Sequence, residues 1–130
     1  MSHRIISEMV QVPSKPYEKT ELYHDSIRLK QIMYHIVNNE LDRRARYRQG
    51  ADLAANCDNI CRALIHIYMF DNNEKLAYVK VLLEQATNAM ITLRAIDNDY
   101  VHMTKESYTA MLGILVKYVA ACKNIMGIAW

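Results

Sequence analysis

The sequence predicts an all-α fold, an antiparallel up-down-up-down four-helix bundle, on three observations. Both prolines, Pro13 and Pro16, lie before residue 17, so the rest of the 130-residue chain is proline-free, and only three glycines occur. Long stretches repeat apolar residues at alternating steps of three and four, the helical period. Short polar segments that favour turns separate them. The bundle is placed at residues 17–130 and an N-terminal arm at 1–16.

In the arm, Ile5, Ile6, Met9, Val10 and Val12 could pack on a neighbour in extended form or fray as a terminus. The first helix is expected to start near Ser14–Pro16, where proline is tolerated in a first turn and Glu18 and Glu21 complement the helix dipole. Its stripe is Leu22, Ser26, Leu29, Met33 and Ile36, and it should end around Asn38–Glu40. The second helix is predicted from about Arg46 to Phe70, with Leu53, Ala54, Cys57, Ile60, Cys61, Leu64, Ile67 and Tyr68 on one face. Gly50 is a misfit there unless a close helix contact requires it.

Asp71-Asn72-Asn73 reads as a turn. The third helix then runs from Glu74 to about Ile96, with Leu76, Val79, Leu83, Ala86, Met90 and Leu93 as its main stripe. Tyr78, Leu82, Ala89 and Ile96 widen that stripe beyond what one partner helix would cover, so a tightly filled core or a subunit interface is expected. The fourth helix should begin at Thr104 as N-cap and continue to the end of the chain, carrying Tyr108, Met111, Leu115, Tyr118, Cys122 and Ile125. Trp130 could close the bundle end or a subunit contact. The short connections between the four helices predict the up-down topology.

Composition excludes several function classes. A formal net charge of +2 makes the chain as a whole no electrostatic glue for nucleic acid, so such a role needs local clustering. No run approaches the roughly 20 apolar residues of a membrane span, and no signal-peptide core opens the chain, so a cytoplasmic protein without a membrane partner is expected. Three cysteines, an odd count, argue against a disulfide framework. Cys57, Cys61 and Cys122 read as core fillers. Glu21-Leu22-Tyr23-His24 has the Glu-x-x-His spacing of di-iron bundles but lacks a second copy and further inward acids. With no phosphate-binding glycine loop and no nucleophile beside an evident base, neither enzyme activity nor a metal or other cofactor is expected.

The densest cluster is Arg43-Arg44-Ala45-Arg46-Tyr47-Arg48, four arginines and a tyrosine in six residues. Guanidinium groups fork onto phosphates, and a neighbouring ring can stack on a base. On a continuous helix Arg44 and Arg48 align with Arg62 and His66, while Arg43 and Arg46 project past the bundle end. Lys80, Thr87 and Arg94 repeat every seven residues on the third helix. The plain alternative is a solvated face paired with Asp42, Asp52 and Glu84.

The stretches Lys75–Val79, Met103–Glu106 and Ile125–Trp130 resemble the second helical pair of a family of small four-helix proteins. That family groups the accessory variability determinants of diversity-generating retroelements with the proteins encoded in intervening sequences of bacterial 23S ribosomal RNA genes. The shared marks are a polar turn, Met103-Thr104 opening the last helix, and Met126-Gly127 near its end with an aromatic residue just after. A basic linker leading into the second helix also fits, and the resemblance covers roughly residues 17–130. It implies a barrel-like homo-oligomer, a pentamer, with a basic surface. In the retroelement branch such a barrel binds the element's reverse transcriptase and template RNA, or an RNA/DNA hybrid, and supports mutagenic complementary DNA synthesis without being a catalyst. The positions that carry over are Arg43, Arg44, Arg46, Arg48, Arg62, Lys80 and Arg94. Arg94 is the single arginine on the third helix, where that branch is arginine-rich, which favours partner binding over direct RNA binding. The intervening-sequence branch, read as a stand-alone interaction bundle, typically has a Pro-Ala-Asn-Ile-type step in its second helix, where this chain has Ala63-Leu64-Ile65-His66.

Overall fold

The computed structural model describes residues 20–69, 72–98 and 103–127. The N-terminal arm, the expected helix start at Ser14–Pro16 and Trp130 lie outside the described residues. Among those described, the regular structure is entirely helical: α1, Glu21–His35; a π-helical turn, Ile36–Glu40; α2, Arg43–Tyr47; α3, Gln49–Met69; α4, Asn72–Asn98; and α5, Lys105–Met126.

The four long helices close a ring, α1 on α3, α3 on α4, α4 on α5, and α5 back on α1. Polar and ring contacts fix the register of α3 on α4. The His66 and Tyr78 rings stack with centroids 4.4 Å apart. The Asn56 and Asn59 amides both donate to Gln85 Oε1 at 3.4 Å, and Thr92 Oγ1 donates to Asn56 Oδ1 at 3.0 Å. Partner numbers thus rise along α4 as they fall along α3.

Several boundaries differ from the sequence reading, each for a local reason. Among the described residues α1 begins at Glu21, where Thr20, in extended backbone, caps it by accepting from the Tyr23 N–H. The second predicted helix is broken into α2 and α3 at Arg48, whose φ of −105° and ψ of −88° leave the helical region. Asn72 and Asn73 join α4 rather than a turn. The last helix stops at Met126, where Gly127 adopts a left-handed φ of 69° and donates its N–H to the Asn124 carbonyl.

The core also sharpens the stripes. On α4 the buried row is Val79, Leu82, Ala86, Ala89, Leu93 and Ile96. Three members of the predicted main stripe sit at its edge: Leu83 and Met90 are half-buried and Leu76 is exposed. Because α4 touches both α3 and α5, its core face is the one that bisects those neighbours. On α5, Met111, Leu115, Tyr118 and Cys122 are buried as the periodicity predicts, while Ile125 is exposed. α5 has the length and mean hydropathy of a membrane span, yet Lys117 lies within it, 2.8 Å from Asp25 and paired also with Glu21. The fully buried Tyr118 ties α5 to α1 by donating its hydroxyl to the Leu22 carbonyl at 2.9 Å. Burial raises its phenol pKa, so the hydroxyl keeps the proton it donates.

Burial also governs the thiols. It pushes Cys57 up to about 12, with the neighbouring Cys61 adding to the effect, and Cys122 up to about 11. All three are free cysteines, and Cys61 contacts the Ser26 carbonyl at 3.8 Å. Buried thiols that stay protonated act as small apolar fillers.

Gly50 is explained by close approach. A Cβ built there would meet Leu41 Cδ1 at 3.1 Å, the Ala45 carbonyl oxygen at 3.3 Å and Val37 Cγ1 at 3.5 Å. The missing side chain lets α3 start against the chain turning out of α1. Gly50→Val is expected to destabilise the protein by about 1–3 kcal/mol through overpacking, read as a lower urea midpoint in chemical unfolding; an unchanged or raised midpoint would mean the contact is loose.

Candidate nucleic-acid interface

The arginine cluster occupies a corner built by the π-helical turn, α2 and the start of α3. Asp42 begins α2 by accepting from the Ala45 N–H at 2.8 Å, and Leu41 and Ala45 are buried beneath the corner. The π turn closes with the Leu41 N–H donating to the Ile36 carbonyl at 3.0 Å. Its extra residue per turn rotates the chain so that Glu40 faces α5 and Arg46 can fold back over the end of α1.

Arg46 therefore does not project past the bundle. Its Nε donates to the Val37 carbonyl at 3.0 Å and its terminal nitrogen to the Asn38 carbonyl at 3.2 Å. These are carbonyls at a helix end, where a cation is favoured by both hydrogen bonding and the dipole. Arg46 is an exposed brace of the corner, while Arg43, Arg44 and Arg48, also exposed, have no such side-chain hydrogen bonds among the described residues. Among the described residues none forms an ion pair with those three. Asp42, next to Arg43, accepts the α2 cap hydrogen bond, and the exposed Asp52 lies one turn after Arg48 on α3 without pairing to it.

The other sequence candidates are spread over the bundle. Arg62 pairs with Asp58 at 3.1 Å, one helical turn earlier on α3. The break at Arg48 ends the continuous face on which Arg44 and Arg48 were expected to align with Arg62 and His66. His66 instead stacks on Tyr78. The α3–α4 register, with Asn56 beside Thr92, places Arg94 at the corner end of the bundle. Lys80 lies on α4 about 21 Å further along the axis at 1.5 Å per residue. Arg94 also lines a shallow groove of about 360 Å³ between α4 and α5, with Met90, Ile91, Tyr108, Leu112 and Val116. Ile91 is 62% exposed there and Val116 43%.

The sequence reading missed Glu40. Its carboxylate accepts from the Thr104 N–H at 2.6 Å and from the Ser107 hydroxyl at 2.6 Å, with His35 Nε2 at 3.0 Å. Asn39 Nδ2 lies 3.2 Å from His35 Nδ1, consistent with Nε2 carrying the hydrogen toward Glu40. In a capping box the acid three residues after the cap satisfies the N-cap N–H. Here that position is Ser107, and Glu40 supplies the carboxylate from the end of α1. An N-cap threonine without its box acid was the available signal. Burial raises the Glu40 pKa, but hydrogen bonds from Ser107 and Thr104, with the nearby His35, outweigh it and hold the pKa below the usual carboxylate value.

Serine, carboxylate and histidine thus meet at one point, yet not in the order nucleophilic catalysis requires. The carboxylate lies between the other two, whereas in a triad the imidazole takes the serine proton. A carboxylate with lowered pKa is a weak base, and Ser107 is 9% exposed. Glu21 and His24, the di-iron-like pair, are both exposed and do not face the core. Among the described residues no three His, Cys, Asp or Glu side chains converge as metal ligands.

Compared with family models, curated proteins and solved structures, the chain matches none of them.

The Glu40 tie gives stability a defined acid dependence. With the folded pKa lowered, its contribution is fully present above the unfolded value of about 4.3 and is lost as pH falls through the folded pKa. Glu40→Gln is expected to cost about 1 kcal/mol near neutral pH and to flatten the acid loss of stability, measured as urea midpoints across the acid range. An identical acid profile in wild type and variant would mean the carboxylate is not coupled to folding.

Proposed function

We propose that this chain is a non-catalytic accessory protein of a diversity-generating retroelement. It binds the element's reverse transcriptase and its template RNA through a basic surface and so supports mutagenic complementary DNA synthesis in the cytoplasm. The observation that carries the reading is a braced corner that clusters Arg43, Arg44 and Arg48 within six residues, none with an ion-pair partner among the described residues, whereas Arg62, Lys30 and Lys117 are paired with acids and unpaired Lys80 and Arg94 stand apart from one another on α4. Unneutralised guanidinium groups at one site attract a polyanion. Arg94 at the same bundle end extends the basic surface, and Arg62 and Lys80 are its outlying members. The motif residues support the family reading in a consistent way, since Thr104 caps α5 and Gly127 ends it.

The protomer is read as an antiparallel up-down-up-down bundle. The opposed numbering of the α3–α4 contacts supports this, as do the short connections and the ring of four long helices. We infer that it assembles into a barrel-like homo-oligomer, a pentamer on the family pattern. Exposed Ile91 and Val116 in the α4–α5 groove support a subunit contact. A stand-alone interaction bundle is the second reading, favoured by the low net charge of +2; it expects the same assembly and no RNA retention at low salt.

Two measurements test these readings. Arg43→Ala/Arg44→Ala/Arg48→Ala should keep the helical circular dichroism and weaken retention of RNA and reverse transcriptase in co-purification. It should also reduce the salt slope of RNA binding by about 0.7 for each phosphate that is no longer neutralised; unchanged retention removes the corner from the interface. Ile91→Glu should shift sedimentation to a smaller species, and a wild-type monomer in sedimentation equilibrium would contradict the barrel.

A further inference from the structure

We propose that the corner selects unpaired RNA over duplex, with Tyr47 as a stacking platform and Arg43, Arg44 and Arg48 as phosphate contacts. This rests on the reading of the corner as an RNA-binding surface.

Tyr47 is 73% exposed, more than any other large hydrophobic side chain among the described residues. Among the other described rings, Tyr118 is fully buried, Tyr78 stacks on His66 and Tyr23 meets His24 edge-on, while Tyr34, also exposed at 54%, lies on α1 outside the arginine run. Tyr47 lies at the end of α2, between Arg46, which is committed to the Val37 and Asn38 carbonyls, and Arg48, which is exposed. Four features hold the ring's backbone in place: the Asp42 cap, buried Ala45, the Arg46 brace and the tight Gly50 contact. The ring is thus pre-positioned and open to solvent.

An aromatic face amid guanidinium groups matches the two parts of a single strand. Bases have exposed π faces when unpaired, and phosphates follow at short intervals. In a duplex those faces are covered by neighbouring pairs, and the ring would have nothing to stack on. Tyrosine and arginine are also common at protein interfaces. Here, however, Arg43, Arg44 and Arg48 form no ion pair among the described residues, although the capping Asp42 and the exposed Asp52, one turn after Arg48, lie nearby, and such uncommitted guanidinium groups favour a polyanion. Arg46 has no phosphate role in this arrangement; it is a positioning residue.

The test is fluorescence anisotropy of the full chain with a labelled single-stranded RNA of about 20 nucleotides and with the same RNA annealed to its complement. Wild type should bind the single strand more tightly. Tyr47→Ala should weaken single-strand binding about tenfold, leave duplex binding and the salt slope unchanged, and keep the helical circular dichroism. Tyr47→Phe should retain wild-type affinity, since stacking needs the ring and not the hydroxyl. Equal affinity for the two RNAs overturns the proposal. So does a Tyr47→Ala variant with wild-type affinity while Arg43→Ala/Arg44→Ala/Arg48→Ala still loses RNA, a result that leaves the basic corner intact as an RNA site. If wild type binds neither RNA at low salt, the RNA reading of the corner fails along with the proposal. Tyr47→Ala losing reverse transcriptase capture but not RNA would reassign the ring to a protein contact and also overturn it.

Discussion

The Glu40 carboxylate is the constraint around which the corner is organised. It leaves the end of α1 and completes the N-terminus of α5 by accepting the backbone N–H of Thr104 and the hydroxyl of Ser107. Residues far apart in sequence are thereby tied by charge-assisted hydrogen bonds at a point where a helix has unsatisfied donors. The π-helical turn is what aims Glu40 there, since an ordinary helical turn would advance the chain by a different angle. The same turn exposes the Val37 and Asn38 carbonyls that Arg46 covers. One acid and one arginine, six residues apart, thus fix opposite sides of a single change of direction.

That economy separates structure from recognition within a run of similar residues. Arg46 braces, Asp42 and Ala45 cap and anchor, and Arg43, Arg44, Tyr47 and Arg48 are left for solvent or a partner. Rigid placement matters for binding because side chains already held near their bound positions lose less freedom on association. The groove between α4 and α5 is a second exposed surface with a different chemistry, mostly apolar, with Thr87 and Arg94 as its polar members apart from the Tyr108 hydroxyl. In the proposed function the basic corner takes nucleic acid and the groove takes protein.

The all-helical fold was legible because periodicity reports burial directly. Leu29, Met33 and Ile36 on α1, and Met111, Leu115 and Tyr118 on α5, are buried where the spacing places them. The Thr104 cap and the need for close contact at Gly50 were legible for the same reason, since each residue type has few other uses in its position. The α4 stripe was misplaced by part of a turn because a helix with two neighbours is apolar over a wide arc, and spacing alone does not say which neighbours bisect it. The break at Arg48 was hidden because arginine, tyrosine and glutamine carry no helix-stop signal; tertiary packing of Ala45 and Gly50 imposes it. Glu40 and Arg46 were invisible as ties because their partners are mostly backbone groups, which every residue possesses. Among the interface candidates, sequence located the charge but did not separate a bracing arginine from uncommitted ones.

The most direct measurement is a double-mutant cycle between Glu40 and Ser107, using Glu40→Gln, Ser107→Ala and the double variant in urea unfolding near neutral pH. If the Glu40 bridge joins the end of α1 to the start of α5 as described, the two substitutions are non-additive, with a coupling of about 1–2 kcal/mol. Additive effects would contradict the bridge and remove the physical basis for a corner held rigid at that end of the bundle.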